Sequence, residues 1–176
     1  MDEHSIPVLF SESEIKDRIE ELAAEIAQSI SGEFMIVSLL RGSFMFTADL
    51  VRAMYKVGAH PQIDFMTLSS YRGTQSTHEI VINRDITEDV KGKTVLILDD
   101  ILETGRTLQY AVNVIKERGA TDMKIVVLLE KPGKLDIAVK ADFVGFTVPD
   151  KFVVGYGLDY GNHYRELPFI GYLDIH

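Results

Sequence analysis

The sequence predicts an α/β fold built on a mostly parallel central sheet flanked by helices. Three observations carry this. Short continuous apolar runs recur along the chain, as expected of strands buried on both faces. Segments with helical spacing of apolar residues separate them. Glycines stand where several of those segments should stop. Such alternation of strand and helix is the pattern of an α/β domain.

Ser11 and Glu14 have capping-box spacing and open a helix, along which Ile15, Ile19, Leu22, Ile26 and Ile30 form one apolar face up to Gly32. Phe34–Leu40 reads as a buried strand that Arg41-Gly42 ends. Ser43 to Tyr55 reads as a helix with Phe44, Leu50, Val51 and Met54 inward. A strand over Ile63–Leu68 leads into a polar stretch, Ser69 to His78, and a paired strand over Glu79–Asn83. Thr94–Leu98 is the next strand, followed by a helix from about Gly105 to Arg118. Lys124–Leu129 and Phe143–Thr147 are further strands. From Asp150 onward the chain is rich in aromatics and glycine, and local pattern assigns it no element.

Length and composition set the outer limits. The chain has 176 residues, enough for one domain with a substantial core, and no linker or repeat divides it, so residues 1–176 are expected to form a single domain. Its 46% hydrophobic and 26% charged residues are those of a soluble globular protein. There is no cysteine, which removes disulfides, thiolate metal sites and cysteine nucleophiles. No membrane span is visible and the first residues are acidic, unlike a secretory signal, so a cytoplasmic protein is expected. A net charge of −9 opposes broad nucleic-acid binding. It leaves room for a phosphorylated small molecule held by a few cations, amides or a metal.

The chemistry concentrates in Val95–Leu108, an apolar strand ending in Asp99-Asp100 and followed by Glu103-Thr-Gly-Arg-Thr107. In parallel α/β sheets ligands bind beyond the carboxyl ends of the strands. The segment Glu103, Thr104, Gly105, Arg106 and Thr107 sets successive backbone amides and two hydroxyls at a helix start, which suits a phosphate dianion. The acids would repel that phosphate unless they bind sugar hydroxyls or a bridging magnesium ion. Read alone, the segment locates a sugar-phosphate site and leaves the reaction partner open.

Val95–Leu108 resembles the phosphoribosyl diphosphate signature of the phosphoribosyltransferases. Other segments narrow the resemblance to the hypoxanthine(-guanine) phosphoribosyltransferases, from about Val8 to Leu173. That resemblance implies a type I phosphoribosyltransferase-like fold with a small hood formed by the chain ends. It implies that Asp99, Asp100 and residues 103–107 bind the ribose and its phosphate. Arg41 and Gly42, after a non-proline cis peptide at Leu40–Arg41, would bind diphosphate together with Arg165. Ser70 and Tyr71 would belong to a mobile loop that closes over the site.

On the purine side, Lys131 would meet the C6 oxygen and Phe152 would stack on the base. The backbone of Val153 would read the base edge, and Asp159 would lie near the purine 2-position. Asp159, with Asp99 and Asp100, would hold Mg2+. Glu103 stands where the family usually has aspartate, and inherits the general-base role at purine N7. The implied partners are 5-phosphoribosyl 1-diphosphate and a 6-oxopurine (hypoxanthine or guanine), without nucleic acid or membrane. The implied assembly is a homodimer or homotetramer. Without the resemblance, the Arg41-Gly42, Lys131 and Phe152 segments read as an ordinary turn, a loop lysine and core aromatics.

Two other readings remain at this point. A xanthine-guanine enzyme shares the phosphate motif but differs in its base pocket. A regulator with this fold that binds RNA would need a basic face, which the net charge opposes. A dinucleotide-binding protein is disfavoured because no Gly-x-Gly-x-x-Gly follows an early strand.

Overall fold

The computed structural model describes residues 6–72 and 78–174, and side chains for 6–69 and 80–174. The elements are β1 (Val8–Phe10), α1 (Glu12–Ser29), β2 (Phe34–Leu40), α2 (Phe44–Lys56), β3 (Gln62–Arg72), β4 (His78–Arg84), β5 (Thr94–Leu102), α3 (Arg106–Glu117), β6 (Asp122–Glu130), β7 (Phe143–Thr147), β8 (Phe152–Val154) and β9 (Ile170–Leu173).

Six strands form one sheet in the order β4-β3-β2-β5-β6-β7, parallel except for the antiparallel β3–β4 edge pair. The apolar runs are continuous because the sheet is covered on both faces. On one face Ile36, Leu96, Leu98, Val126 and Leu128 pack with Ile15, Leu22 and Ile26 of α1 and Phe46, Leu50 and Met54 of α2. On the other, Val37, Val95, Ile97 and Val127 pack with Leu108, Ala111 and Ile115 of α3. Among the described residues no helix is long and apolar enough to cross a membrane.

The capping box at α1 forms as the spacing predicts. Glu14 N donates to Ser11 Oγ at 3.3 Å, and Ser11 N donates to the Glu14 carboxylate at 2.8 Å. The predicted inward set of α2 needs correction. Phe46, Leu50 and Met54 are fully buried at a step of four, Val51 is half-buried, and Phe44 is exposed.

Two strands run further than their apolar patterns suggest. β3 continues through Ser69 to Arg72, where Ser70 lies opposite Ile80 and Tyr71 opposite Glu79. The expected irregular stretch is therefore strand at its start, because main-chain pairing with an edge strand does not require apolar side chains. The side chains of Ser70 and Tyr71, and the remainder of that loop at 73–77, lie outside the described residues. β5 likewise runs to Leu102, so Asp99 and Asp100 lie within the strand rather than beyond it.

The unassigned C-terminal stretch supplies β8 and β9, which join β1 in a second, antiparallel sheet ordered β1-β9-β8. This is the hood that the resemblance implies, drawn from the two ends of the chain.

Asp64 of β3 fixes the connection between β4 and β5. Its carboxylate accepts from the amides of Phe65 (2.7 Å), Thr87 (2.6 Å) and Glu88 (3.0 Å). Burial raises its pKa, but these hydrogen bonds outweigh burial and hold the carboxyl below its ordinary value. A depressed pKa contributes stability above the unfolded value that is lost as pH falls through the folded one. Asp64→Ala is therefore expected to destabilise the protein by about 2–3 kcal/mol at pH 7. The gap from wild type, read by denaturant unfolding, should narrow below about pH 4.

Candidate active site

β2 and β5 are adjacent and parallel although α2, β3 and β4 lie between them in the chain. From β2 the chain builds outward to β3 and β4, and from β5 it builds the other way to β6 and β7. The carboxyl ends of β2 and β5 thus flank a topological switch point, where open α/β sheets bind ligands. Pairing between the two strands runs from Phe34↔Thr94 to Ser38↔Leu98. Past it, the Leu40–Gly42 loop packs against Asp100 and, with Asp99 and Asp100, lines a cleft of about 560 Å³.

The cleft is lined by Arg41, Gly42, Asp99, Asp100, Glu103, Thr104, Gly105, Thr107, Asp159 and Arg165. Residues far apart in the sequence thus meet in one place. The Leu40–Arg41 peptide is cis, as the resemblance implies. Gly42 lies so close to the Asp100 carboxylate that a Cβ there would overlap it. Gly105 takes φ +80° as the N-cap of α3, and a Cβ on it would press on the Ile137 carbonyl at 3.0 Å. Glycine is required at both positions.

Asp99 Oδ1 accepts from the Asp100 amide (3.0 Å), and Asp100 Oδ1 accepts from Ile101 (2.8 Å). Burial, and then the neighbouring Asp100 charge, push the Asp99 pKa well above the usual carboxylate range. Burial pushes Asp100 up as well, although hydrogen bonds and the Arg165 charge oppose it. Two acids in one desolvated place are costly to ionise together, and a ligand or cation relieves that cost.

Arg165 and Asp159 form an ion pair at 2.8 Å, and Arg165 Nη1 donates to the Gly157 carbonyl at 2.6 Å. The Asp159 carboxylate also accepts from the Asn162 amide at 2.7 Å. Glu103 is met by Lys131, whose Nζ lies 3.2 Å from Glu103 Oε1. The β5–β6 register explains the meeting. Leu102 stands opposite Glu130, and the Lys131 amide donates to the Leu102 carbonyl, so the next residues of both strands are neighbours.

The other purine-side residues do not line the cleft. Lys131 is buried behind Glu103, and Val153 is buried in β8 opposite Tyr172. Phe152 is 42% exposed and meets Tyr160 edge-on at 5.4 Å, which leaves a ring surface available. The Arg106 side chain is turned away from the cleft to Asp136, at 3.0 Å. It is the one residue of the phosphate turn outside the lining.

Sequence reasoning missed Thr67, Leu68, Ser69 and Asn83, which line the cleft from β3 and β4. The Ser69 and Asn83 side chains hydrogen-bond reciprocally at 3.0–3.1 Å. Thr67, Leu68 and Asn83 fall in strands the pattern assigned without a site role, and Ser69 falls in the part of β3 that the apolar pattern understated.

A family model described as a phosphoribosyl transferase domain matches residues 9–161. A hypoxanthine phosphoribosyltransferase of Salmonella typhimurium is 44% identical over 172 residues, covering 96% of this chain and 95% of that protein. This chain belongs to the hypoxanthine phosphoribosyltransferase family. Another relative, the bifunctional protein TilS/HprT of Listeria innocua, is 45% identical over 94% of this chain, which spans 26% of that longer protein. Among solved structures, the hypoxanthine phosphoribosyltransferase from Staphylococcus aureus superposes with a TM-score of 0.89 at 38% identity, covering 98% of this chain and 96% of that one. The Trypanosoma cruzi enzyme gives 0.91 at 37% identity, covering 98% and 93%.

The raised acid pair carries a testable cost. A carboxyl whose folded pKa is raised stabilises the protein below the unfolded value, and that contribution is lost as pH rises through the folded one. In substrate-free protein kept in chelator, Asp99→Asn should raise the thermal midpoint at pH 8 by about 2–4 °C. The gain should shrink toward pH 4, and an equal gain at both pH values would argue against charge as its origin.

Proposed function

We propose that this member of the family transfers the 5-phosphoribosyl group of 5-phosphoribosyl 1-diphosphate to N9 of hypoxanthine or guanine, giving IMP or GMP and diphosphate. The observation that carries the reading is the convergence of three features on one cleft. These are the Thr104–Thr107 turn, the Asp99-Asp100 pair with Asp99 buried, and the Arg41–Gly42 loop with Arg165.

In this reading the amides and hydroxyls of Thr104 to Thr107, including the Arg106 amide, receive the 5-phosphate. Asp99 and Asp100 accept from the ribose hydroxyls. The amides of Arg41 and Gly42, with Arg165, hold the diphosphate. Lys131 donates to O6 of the base. Because an ammonium group only donates, it selects an oxo group over the amino group of adenine. Phe152 stacks on the ring, the Val153 backbone meets its edge, and Asp159 stands toward C2. Ser70 and Tyr71 close over the reacting centre, where excluding water protects the sugar from hydrolysis.

The bond from C1′ to the diphosphate oxygen lengthens ahead of the bond to N9, so positive charge spreads over the ribose ring, beside Asp99 and Asp100. As N9 joins C1′, Glu103 takes the proton from N7. The acceleration comes mainly from positioning and fixed electrostatics. The Lys131–Glu103 contact supports the paired roles at O6 and N7, since the two atoms flank one edge of a purine.

Mg2+ belongs to the same proposal. Among the described residues no three acidic or histidine side chains gather into a closed metal cage. The carboxylates of Asp99, Asp100 and Asp159 are hard oxygen donors, fitted to an ion that takes its remaining ligands from substrate and water. Such an ion, when bound, would neutralise charge on the leaving diphosphate. An assembly of two or four copies is part of this reading too, and the exposed Phe44 and Tyr55 on α2 offer apolar surface for it.

Turnover with 5-phosphoribosyl 1-diphosphate, Mg2+ and each of hypoxanthine, guanine, xanthine and adenine tests the reaction. Product is expected with the first two and little with adenine, and no product with any base overturns the reading. Glu103→Gln should lower kcat by about 100-fold or more while leaving binding of the phosphoribosyl donor intact. Near-normal turnover would remove Glu103 as the base. Tyr71→Ala should lower kcat, and an unchanged kcat would remove Tyr71 from the site.

A further inference from the structure

Three buried hydroxyls lie at the base of the Leu40–Gly42 loop. Ser38 of β2 and Ser43 at the start of α2 are 0% exposed, and Thr47, one turn into α2, is 3% exposed. Ser38 Oγ is 2.7 Å from Ser43 Oγ and 2.6 Å from Thr47 Oγ1. Ser43 Oγ donates to the Leu39 carbonyl at 2.5 Å, and Thr47 Oγ1 donates to the Ser43 carbonyl at 2.8 Å. With those two protons used, the single Ser38 proton serves Ser43 or Thr47.

None of the three lines the cleft, whereas Leu39, Leu40, Arg41 and Gly42 all do. Ser38 sits mid-sheet, opposite Phe65 of β3 and Leu98 of β5, where an apolar side chain would pack without a desolvation penalty. Ser43 is an N-cap residue by type, yet its hydroxyl makes no bond to the first turn of α2. It reaches back to Leu39 instead, closing a ring across the base of the loop. Thr47 and Ser38 then tie that ring to the helix and to the central strand. The loop has little slack, because Gly42 lies against Asp100 on one side and against Gly157 on the other.

We infer that Ser38, Ser43 and Thr47 are positioning residues for the diphosphate end of the phosphoribosyl donor, stapling the loop so that its amides keep a fixed geometry. The inference rests on the reading of Arg41–Gly42 as the diphosphate-binding segment. A donor array fixed before the reaction costs no reorganisation when charge develops on the leaving group. The hydroxyls touch no substrate, so their effect reaches only what the loop touches. Donor and diphosphate binding should respond together, and purine binding should not.

The test compares Ser43→Ala, Thr47→Val and the conservative Thr47→Ser with wild type. The measurements are KM for donor and purine at saturating Mg2+, calorimetric binding of inorganic diphosphate with Mg2+, and thermal midpoints. Ser43→Ala and Thr47→Val should each raise the donor KM and weaken diphosphate binding by roughly tenfold, the scale of one lost hydrogen bond. The purine KM should stay within about twofold, and Thr47→Ser, which keeps the hydroxyl and loses only a buried methyl, should keep donor KM and diphosphate affinity near wild type even if its midpoint falls. If Ser43→Ala does not fold, the near-isosteric Thr47→Val decides the matter. Lower midpoints with unchanged donor KM and diphosphate affinity would overturn this inference alone. Wild type that neither binds diphosphate nor turns over would overturn the reading of the site, and this inference with it.

Discussion

The parallel pairing of β2 with β5 is the contact on which the rest of the molecule depends. It joins two halves of the chain that build outward in opposite directions, and it is the strand pair at the centre of the six-stranded sheet. Its apolar residues serve both cores, with Ile36, Leu96 and Leu98 facing α1 and α2 while Val37, Val95 and Ile97 face α3. Because the pairing stops at Ser38↔Leu98 while β5 continues, the cleft opens where the strands part. The Arg41–Gly42 loop, the acid pair and the Thr104–Thr107 turn are all hung from that parting.

The same arrangement concentrates charge where the fold tolerates it least. Asp99 and Asp100 are held in a desolvated strand by residues chosen for packing, so their ionisation opposes folding until a ligand or cation arrives. Arg165 and Arg41 line the same cleft, and Lys131 stands behind Glu103. Local positive charge thus exists inside a chain whose net charge is −9. This is how an acidic protein of this family can take a polyanionic substrate without a basic surface.

The parts of the fold legible in the sequence were those decided by local pattern. Phe34–Leu40 was bounded correctly because burial on both faces leaves an uninterrupted apolar run, and the half-buried edge strand Phe143–Thr147 was bounded correctly as well. The α1 cap was legible because Ser11 and Glu14 act within one turn. The hood was legible only through the family resemblance, since β1 pairs with β9 across nearly the whole chain and neither strand has a local pattern of its own. The Phe44 error came from choosing the first apolar residue rather than the four-step set that ends at Met54. At the site, motif and resemblance identified most of the cleft lining. They could not show that Arg106 turns to Asp136, or that β3 contributes Ser69, because side-chain direction and strand length were decided by tertiary neighbours.

The hood bears on the order in which the molecule can be assembled. Its strands come from both ends of the chain, whereas the central sheet is complete once β7 has formed. A folding chain can therefore finish its main sheet while the segment with Gly157, Asp159 and Arg165 is still undocked. During that interval the acid pair has neither its facing arginine nor the backbone that seals against Gly42. The hood's long-range antiparallel pairing is also the slow kind to form, since its ends must find each other across a large loop. The sheet is thus a template that can exist before the enzyme does, and docking of the hood turns it into one.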